Sequence, residues 1–320
     1  MSRRLRLTPV LLVAALGVAL LVHMSPSRAG SAVDPAPTRA VDGVALTVAD
    51  MDRAVTFYST VLFFDKVSDT RTTGPGGAGA RVVTMRLGGE RIELIEPPAG
   101  SAAPNRRGGP SVDRWRQHFA IVVNDMDQAF LWLRRHHVTQ LTAEPERLGD
   151  GNPSAEGVRT FSFEDPDGHA LEFLQFPPGR GAARWQRPSE SIFLGIDHTG
   201  IVVNDTEKSL AFYRDALGLQ IVAASASHGP ERERATGGPV TRLSITTVRA
   251  SEGPAIELLE YLPPRAGRGD LQKTSADGAV GWQTLLAATD AHAVAAKLGI
   301  RRGLTAADPD GHEVRLRTRK

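Results

Sequence analysis

His118-Phe119-Ala120-Ile121-Val122-Val123-Asn124-Asp125 and His198-Thr199-Gly200-Ile201-Val202-Val203-Asn204-Asp205 are two versions of one pattern. Each opens on a histidine, runs through apolar and β-branched residues, and ends on Asn-Asp. Gly43-Val44-Ala45-Leu46-Thr47-Val48-Ala49-Asp50 repeats the pattern without the histidine, and Gln283-Thr284-Leu285-Leu286-Ala287-Ala288-Thr289-Asp290 repeats it more weakly. The copies begin at positions 43, 118, 198 and 283, a spacing of 75 to 85 residues. Such regular self-similarity marks four copies of one structural unit. In each copy the apolar run reads as a strand. The closing aspartate suits a helix N-cap. Apolar residues at helical spacing follow over residues 51–64, 126–135 and 210–217. Turn-rich sequence then leads to a last strand: Ile92-Glu93-Leu94-Ile95-Glu96, Leu171-Glu172-Phe173-Leu174 and Ile256-Glu257-Leu258-Leu259-Glu260. The unit is therefore β-α-β-β-β and the fold class α+β. Module IV is clipped, because its first strand lies too close to Val314-Arg315-Leu316 for a full unit.

Working outward, Asp165-Pro166-Asp167-Gly168-His169 precedes the last strand of module II, and Asp308-Pro309-Asp310-Gly311-His312 that of module IV. Proline fixes φ and glycine accepts positive φ, so each motif reads as a turn joining antiparallel strands. Its presence in modules II and IV alone suggests duplication of a two-module ancestor. Joints rich in Pro and Gly (97–110, 177–188, 263–269) separate the modules. Their arginines (Arg106, Arg107, Arg180, Arg184, Arg187) read as solvated linker. The expected divisions are a linker at 30–40, a first domain at 41–178 (modules I and II) and a second at 192–320 (modules III and IV).

The first 29 residues carry Arg3, Arg4 and Arg6, then an apolar run over 10–24, then small residues. A membrane-spanning helix needs about 20 apolar residues, so this run reads as a signal peptide cleaved after Ala29. The expectation is export to a periplasm or the exterior. The alternative is an uncleaved anchor over 10–24, the one route to stable membrane association. The 320 residues are 41% apolar and 23% charged, ordinary for a globular protein. Lys plus Arg number 38 and Asp plus Glu 36, a net charge of +2 that offers no footprint for nucleic acid. There is no cysteine, which excludes disulfides, thiolate metal sites and cysteine nucleophiles. Any metal site is built from His, Asp and Glu.

Side chains alternate across a strand. His118, Ala120 and Val122 share one face in module II, as do His198, Gly200 and Val202 in module III. Glu172 lies on the face of Leu174, and Glu257 on that of Leu259. A carboxylate in an apolar strand is costly unless paired with a cation. Two imidazoles and two carboxylates in matching slots of repeated units suit Zn²⁺, Ni²⁺, Mn²⁺ or Fe²⁺. His136 and His137 read as a solvated helix face, and His169 and His312 as pointing to solvent. Trp115, Trp185 and Trp282 read as covers for core edges.

The βαβββ unit, the first-strand histidine, the Asp-Pro-Asp-Gly turn and the Ile/Leu-Glu-Leu/Phe last strand resemble the vicinal oxygen chelate superfamily. That group includes glyoxalase I, extradiol dioxygenases, methylmalonyl-CoA epimerase and the fosfomycin and bleomycin resistance proteins. The resemblance covers nearly all of 41–318. It implies that pairs of modules curl into two cupped half-barrels. Each cup would hold a divalent metal through one first-strand His and one last-strand Glu from each module. Carried onto this chain, module I offers Gly43 and Glu93, module II His118 and Glu172, module III His198 and Glu257, and module IV Gln283 (or Thr284) and Arg315. If neighbours pair, both cups are incomplete. If II pairs with III and I with IV, one cup has all four ligands and the other is degenerate. The second arrangement, similar to fused glyoxalase I chains, is preferred because it confines the damage to one cup.

The resemblance further implies a metal-dependent lyase or isomerase acting on a small substrate with adjacent oxygens through an enediolate. Glu172 would be the displaceable base and Glu257 mainly a ligand. An extradiol dioxygenase, using two His and one carboxylate on Fe²⁺, is the first alternative. A non-catalytic binding protein of the bleomycin-resistance type is the second.

Overall fold

In a computed structural model, which describes residues 37–73, 79–98, 117–149, 155–227, 242–262 and 281–319, the four aspartates cap four helices as their spacing requires. Asp50, Asp125, Asp205 and Asp290 are extended, and each side chain accepts the amide three residues on, from Arg53, Gln128, Lys208 and Ala293. Module I contributes β1 (Thr38–Thr47), α1 (Met51–Thr56), β2 (Asp65–Arg71), β3 (Arg81–Leu87) and β4 (Glu90–Glu96). Module II contributes β5 (Gln117–Val123), α2 (Met126–Arg135), β6 (Glu146–Arg147), β7 (Arg159–Glu164) and β8 (Ala170–Gln175). Module III contributes β9 (Phe193–Val203), α3 (Thr206–Leu210), β10 (Gln220–Ser227), β11 (Arg242–Arg249) and β12 (Ala255–Leu262). Module IV contributes β13 (Trp282–Ala288), α4 (Ala291–Lys297), β14 (Thr305–Ala307) and β15 (Glu313–Thr318), one strand short. Helices α1 and α3 run on into wider π-type turns at Phe57–Val61 and Ala211–Ala216, so the long apolar stretches predicted as single helices are composite.

The strands form two mixed sheets, each taking strands from both halves of the chain. One runs β10-β11-β12-β9-β5-β8-β7-β6 and joins modules II and III; the other runs β14-β15-β13-β1-β4-β3-β2 and joins I and IV. Antiparallel β5–β9 and β1–β13 pairs form the two seams. The apolar cores divide differently. One is drawn almost wholly from modules I and II, around Leu46, Met85, Phe119, Phe161 and Phe173. The other comes from modules III and IV, joined by Val41 of β1, around Ile201, Tyr213, Leu258, Leu286 and Leu316. Sheet pairing thus crosses the chain one way and core packing the other.

The two Asp-Pro-Asp-Gly-His motifs explain part of that packing. Gly168 and Gly311 close the turns at φ 86° and 88°. Asp165 Oδ1 accepts the amides of Asp167 and His169 at 2.9 and 2.8 Å, and Asp308 repeats this with Asp310 and His312. Contrary to expectation, His169 and His312 are buried. Their Nδ1 atoms lie 2.7 and 2.9 Å from Asp165 and Asp308. The tyrosines that follow the first-turn helices, Tyr58 and Tyr213, donate to the same aspartates at 2.9 and 3.2 Å. The sequence shows a turn glycine before each histidine, but not the tyrosine arriving from the preceding module. Asp167 also accepts Ala49 N and Arg53 Nη2, so each turn docks on the strand-to-helix corner of its neighbour.

The linker after β8 is also more than solvated chain. Arg184 pairs with buried Glu90 and lies 3.9 Å over the Trp185 ring. Trp282 is a core residue, against Phe119 and His169. Residues 1–36, which include the expected signal segment, lie outside the described residues, as do Arg106, Arg107 and Trp115. Among the described residues no helix is long and apolar enough to cross a membrane.

Candidate metal centre

Paired residues on neighbouring strands share a face. At the β5–β9 seam His118 lies opposite Gly200, and Ala120 opposite His198. In the flanking parallel pairs Glu172 lies beside Ala120, and Glu257 beside Gly200. Two rows result on one face, Glu172–Ala120–His198 and His118–Gly200–Glu257. They are related by an approximate two-fold between Phe119 and Thr199. The opposite faces of these strands carry Phe119, Ile121, Leu171, Phe173, Ile201 and Ile256 into the cores, which fixes the register. Each histidine therefore lies across the seam from a small residue. At Gly200 the reason is steric: a Cβ there would stand 2.1 Å from Cε1 of the His118 ring.

The four side chains predicted as ligands converge. His118 Nε2 is 3.7 Å from Glu172 Oε2, His198 Nε2 is 3.8 Å from the same oxygen, and His198 Nε2 is 3.5 Å from Glu257 Oε2. His118, Glu172 and His198 each offer an atom within 4.8 Å of the other two. Glu257 joins through His198 and falls outside that mutual triplet. Two ligands each about 2.1 Å from one ion stand at most about 4.2 Å apart, so all three separations fit a shared cation. His198 Nε2 is buried with no hydrogen-bond partner, an orphan that a cation between the carboxylates would satisfy. The donor set and this orphan fit a divalent ion of the N/O type.

Neighbouring side chains hold these residues in place. Thr160 Oγ1 donates to Glu172 Oε1, and Thr247 Oγ1 lies 3.5 Å from Glu257 Oε1. Asp197 Oδ2 lies 3.2 Å from His198 Nδ1. Burial alone would lower the His198 pKa. Glu257, Asp197 and Glu172 outweigh it and raise the value to about 9. Burial would raise the Asp197 carboxyl, but His198, the Trp185 indole and Arg249 hold it below the usual carboxylate range. Sequence reasoning missed Asp197, because strand alternation puts it on the opposite face from His198. Thr160 and Thr247 gave no signal at all.

The second cup repeats the plan with other side chains. Ala45 lies opposite Gln283 as Ala120 lies opposite His198, so Gln283, rather than Thr284, occupies the histidine slot. Arg315 takes the place of the carboxylate, beside Leu285. Glu93 is bound by the guanidinium groups of Arg315 and Arg317, and Arg317 also reaches Asp42 at 3.2 Å. Gly43 has φ 123°, and a Cβ there would meet Arg91 O at 2.0 Å, so this backbone has no room for a histidine.

Comparison with known proteins bears on the family and the fold. Residues 40–173 and 195–316 match the family described as the Glyoxalase/Bleomycin resistance protein/Dioxygenase superfamily. A 2-epi-5-epi-valiolone epimerase from an Actinomyces species is 36% identical over 154 residues, 44% of this chain and 81% of that protein. A catechol-2,3-dioxygenase from Bacillus subtilis is 25% identical over 206 residues, 55% of this chain and 64% of that protein. The structure of glyoxalase I from Zea mays superimposes with a TM-score of 0.59 at 15% identity, covering 87% of this chain and 92% of that one. That likeness is one of fold. With four repeats of the unit, two cups and both halves of the sequence matched, the chain belongs to the Glyoxalase/Bleomycin resistance protein/Dioxygenase superfamily.

Proposed function

We propose that the cup shared by modules II and III binds one divalent cation through His118, Glu172, His198 and Glu257. We further propose that the chain is an isomerase- or epimerase-type enzyme for a small substrate with adjacent oxygens. The observation that carries this reading is the buried His198 Nε2, without a hydrogen-bond partner, set between the carboxylates of Glu172 and Glu257. A bound divalent ion supplies Lewis-acid polarisation of the paired substrate oxygens. The chain supplies the proton chemistry. Thr160 engages Oε1 of Glu172, which leaves Oε2 facing the imidazoles of His118 and His198. An oxygen so placed takes a proton from the carbon next to a carbonyl and returns it. Glu257, closer to His198, stays in place as a ligand. Two apolar patches flank the site, Ala120, Val158 and Leu174 on one side and Val202, Leu243 and Leu259 on the other. They restrict water and suit a compact substrate body. The relationship to an enzyme named as an epimerase supports removal and return of a proton at one carbon.

A second reading is ring-cleaving oxygenation. The mutual triplet His118, Glu172 and His198 is a two-histidine, one-carboxylate set, and one relative is named as a catechol dioxygenase. The test is to load the protein separately with Zn²⁺, Ni²⁺, Mn²⁺ and Fe²⁺ and incubate it in D₂O with a panel of small α-hydroxy ketones. The expected result is deuterium at the carbon next to the carbonyl, with at least one metal that does not activate oxygen, and loss of exchange in Glu172→Gln. Oxygen uptake with catechols, confined to the Fe²⁺ form and without exchange, would replace this reading with the second.

A further inference from the structure

Strand β9 contains a bulge at the metal centre. Ala120 pairs with His198, but the next residue, Ile121, pairs with Ile196, so Asp197 is the extra residue. In a regular strand Asp197 would face away from His198. The bulge breaks that alternation and turns its carboxylate to His198 Nδ1 at 3.2 Å. A carboxylate only accepts, so Nδ1 carries the hydrogen and Nε2 is the nitrogen left to face Glu172 and Glu257. Asp197 is itself held. Trp185 Nε1 donates to its Oδ1 at 2.9 Å, and Arg249 stands 3.8 Å away. The bulge backbone is braced from the other sheet, where buried Glu90 accepts the Ile196 amide at 3.1 Å. Arg184 ties Glu90 to the linker by an ion pair while stacking on Trp185. A Cβ on Gly195 would meet Glu90 at 2.5 Å and Trp185 at 2.9 Å, so the brace packs directly on the bulge. In the second cup Asp42 occupies the corresponding bulge in β1 and faces Arg317.

We infer that Asp197 is the positioning residue of the metal centre: through the bulge and the Trp185 clamp it fixes the His198 ring and its tautomer for coordination through Nε2. This rests on the metal reading proposed above. Partners of this kind set ligand orientation and basicity, and their loss commonly costs about 10- to 100-fold in metal affinity. Asp197 touches no substrate and acts through His198.

The test is a Co²⁺ titration of the full chain and of Asp197→Asn and Trp185→Phe, followed by affinity and by the visible ligand-field spectrum. The expected result is one Co²⁺ per chain in each protein. Affinity falls about 10- to 100-fold in Asp197→Asn and by less in Trp185→Phe, with altered band positions in Asp197→Asn. A purely structural role for Asp197 would change thermal stability and leave the spectrum of the bound ion alone. Wild-type affinity and spectrum in both variants would overturn the inference while leaving the metal centre intact. If Asp197→Asn does not fold, unchanged Co²⁺ affinity in Trp185→Phe overturns it by itself. Failure of the wild-type chain to bind Co²⁺ would overturn the metal reading and the Asp197 role together.

Discussion

Replacing Gly200 with alanine adds one methyl group where the His118 ring lies. The new carbon would stand 2.1 Å from Cε1, 2.6 Å from Nε2 and 2.8 Å from Nδ1. Carbon atoms settle at about 3.5 Å, so the ring has to retreat by more than about 1 Å. Coordination tolerates about 0.2 Å, so the proposed His118 ligand is expected to be lost. The expected weakening of metal affinity is at least about 100-fold, the upper end for outer-shell changes, which corresponds to about 2.7 kcal/mol. The fold should survive. Gly200 does not lie in the left-handed region, and the obstructing atoms are those of a side-chain ring rather than backbone. Alanine also restricts the unfolded chain, a gain of about 0.4–1 kcal/mol. The assay is thermal unfolding with and without Zn²⁺. Apo Gly200→Ala is predicted to melt within a few degrees of wild type, and its Zn²⁺-induced stabilisation to shrink by the amount above. A Zn²⁺ shift equal to wild type would show that His118 does not hold the ion from above Gly200.

Two other perturbations separate the site from its scaffold. The buried cluster of Asp165, His169 and Tyr58, with Asp167 and Arg53 beside it, sets a pH window for stability. Burial opposes charge on both partners, yet the mutual attraction and hydrogen bonds raise the His169 pKa and lower that of Asp165. The His169 contribution is complete below about 6.5 and is lost as pH rises through its folded value. The Asp165 contribution is complete above about 3.9 and is lost as pH falls through its own. Asp165→Asn is predicted to cost about 3 kcal/mol near neutral pH and to flatten both limbs in denaturant melts; parallel pH profiles for mutant and wild type would refute this. In the second cup, Glu93→Gln leaves Arg315 and Arg317 facing each other with Asp42 as the remaining carboxylate, a predicted loss of about 2 kcal/mol. Metal stoichiometry by elemental analysis should stay the same, and a fall would place an ion in the wrong cup.

Much of this was legible in the residues themselves. The repeat period, the capping aspartates and the matched His and Glu slots specify the module, and the tally of ligands favoured pairing II with III, the arrangement in the sheet. What was hidden depends on tertiary contact. Asp197 is useful only because one extra residue in β9 breaks the alternation, and nothing local in Ile196-Asp197-His198 marks a bulge. His169 and His312 look like exposed turn residues until Tyr58 and Tyr213 arrive from the preceding modules. Arg184 looks like linker until Glu90 is brought beneath it. The failure of Gly43 to carry a histidine is a backbone collision with Arg91, invisible in the spelling.

The central claim is that the imidazoles and carboxylates of modules II and III share a single cation. The most direct measurement is metal content per chain, after equilibration with excess Zn²⁺ and removal of the free ion, for wild type, His118→Ala, His198→Ala and Glu257→Gln. One ion in wild type and substantial loss in both histidine variants, with a smaller loss in Glu257→Gln, is the predicted result. Full occupancy in both His118→Ala and His198→Ala would contradict it.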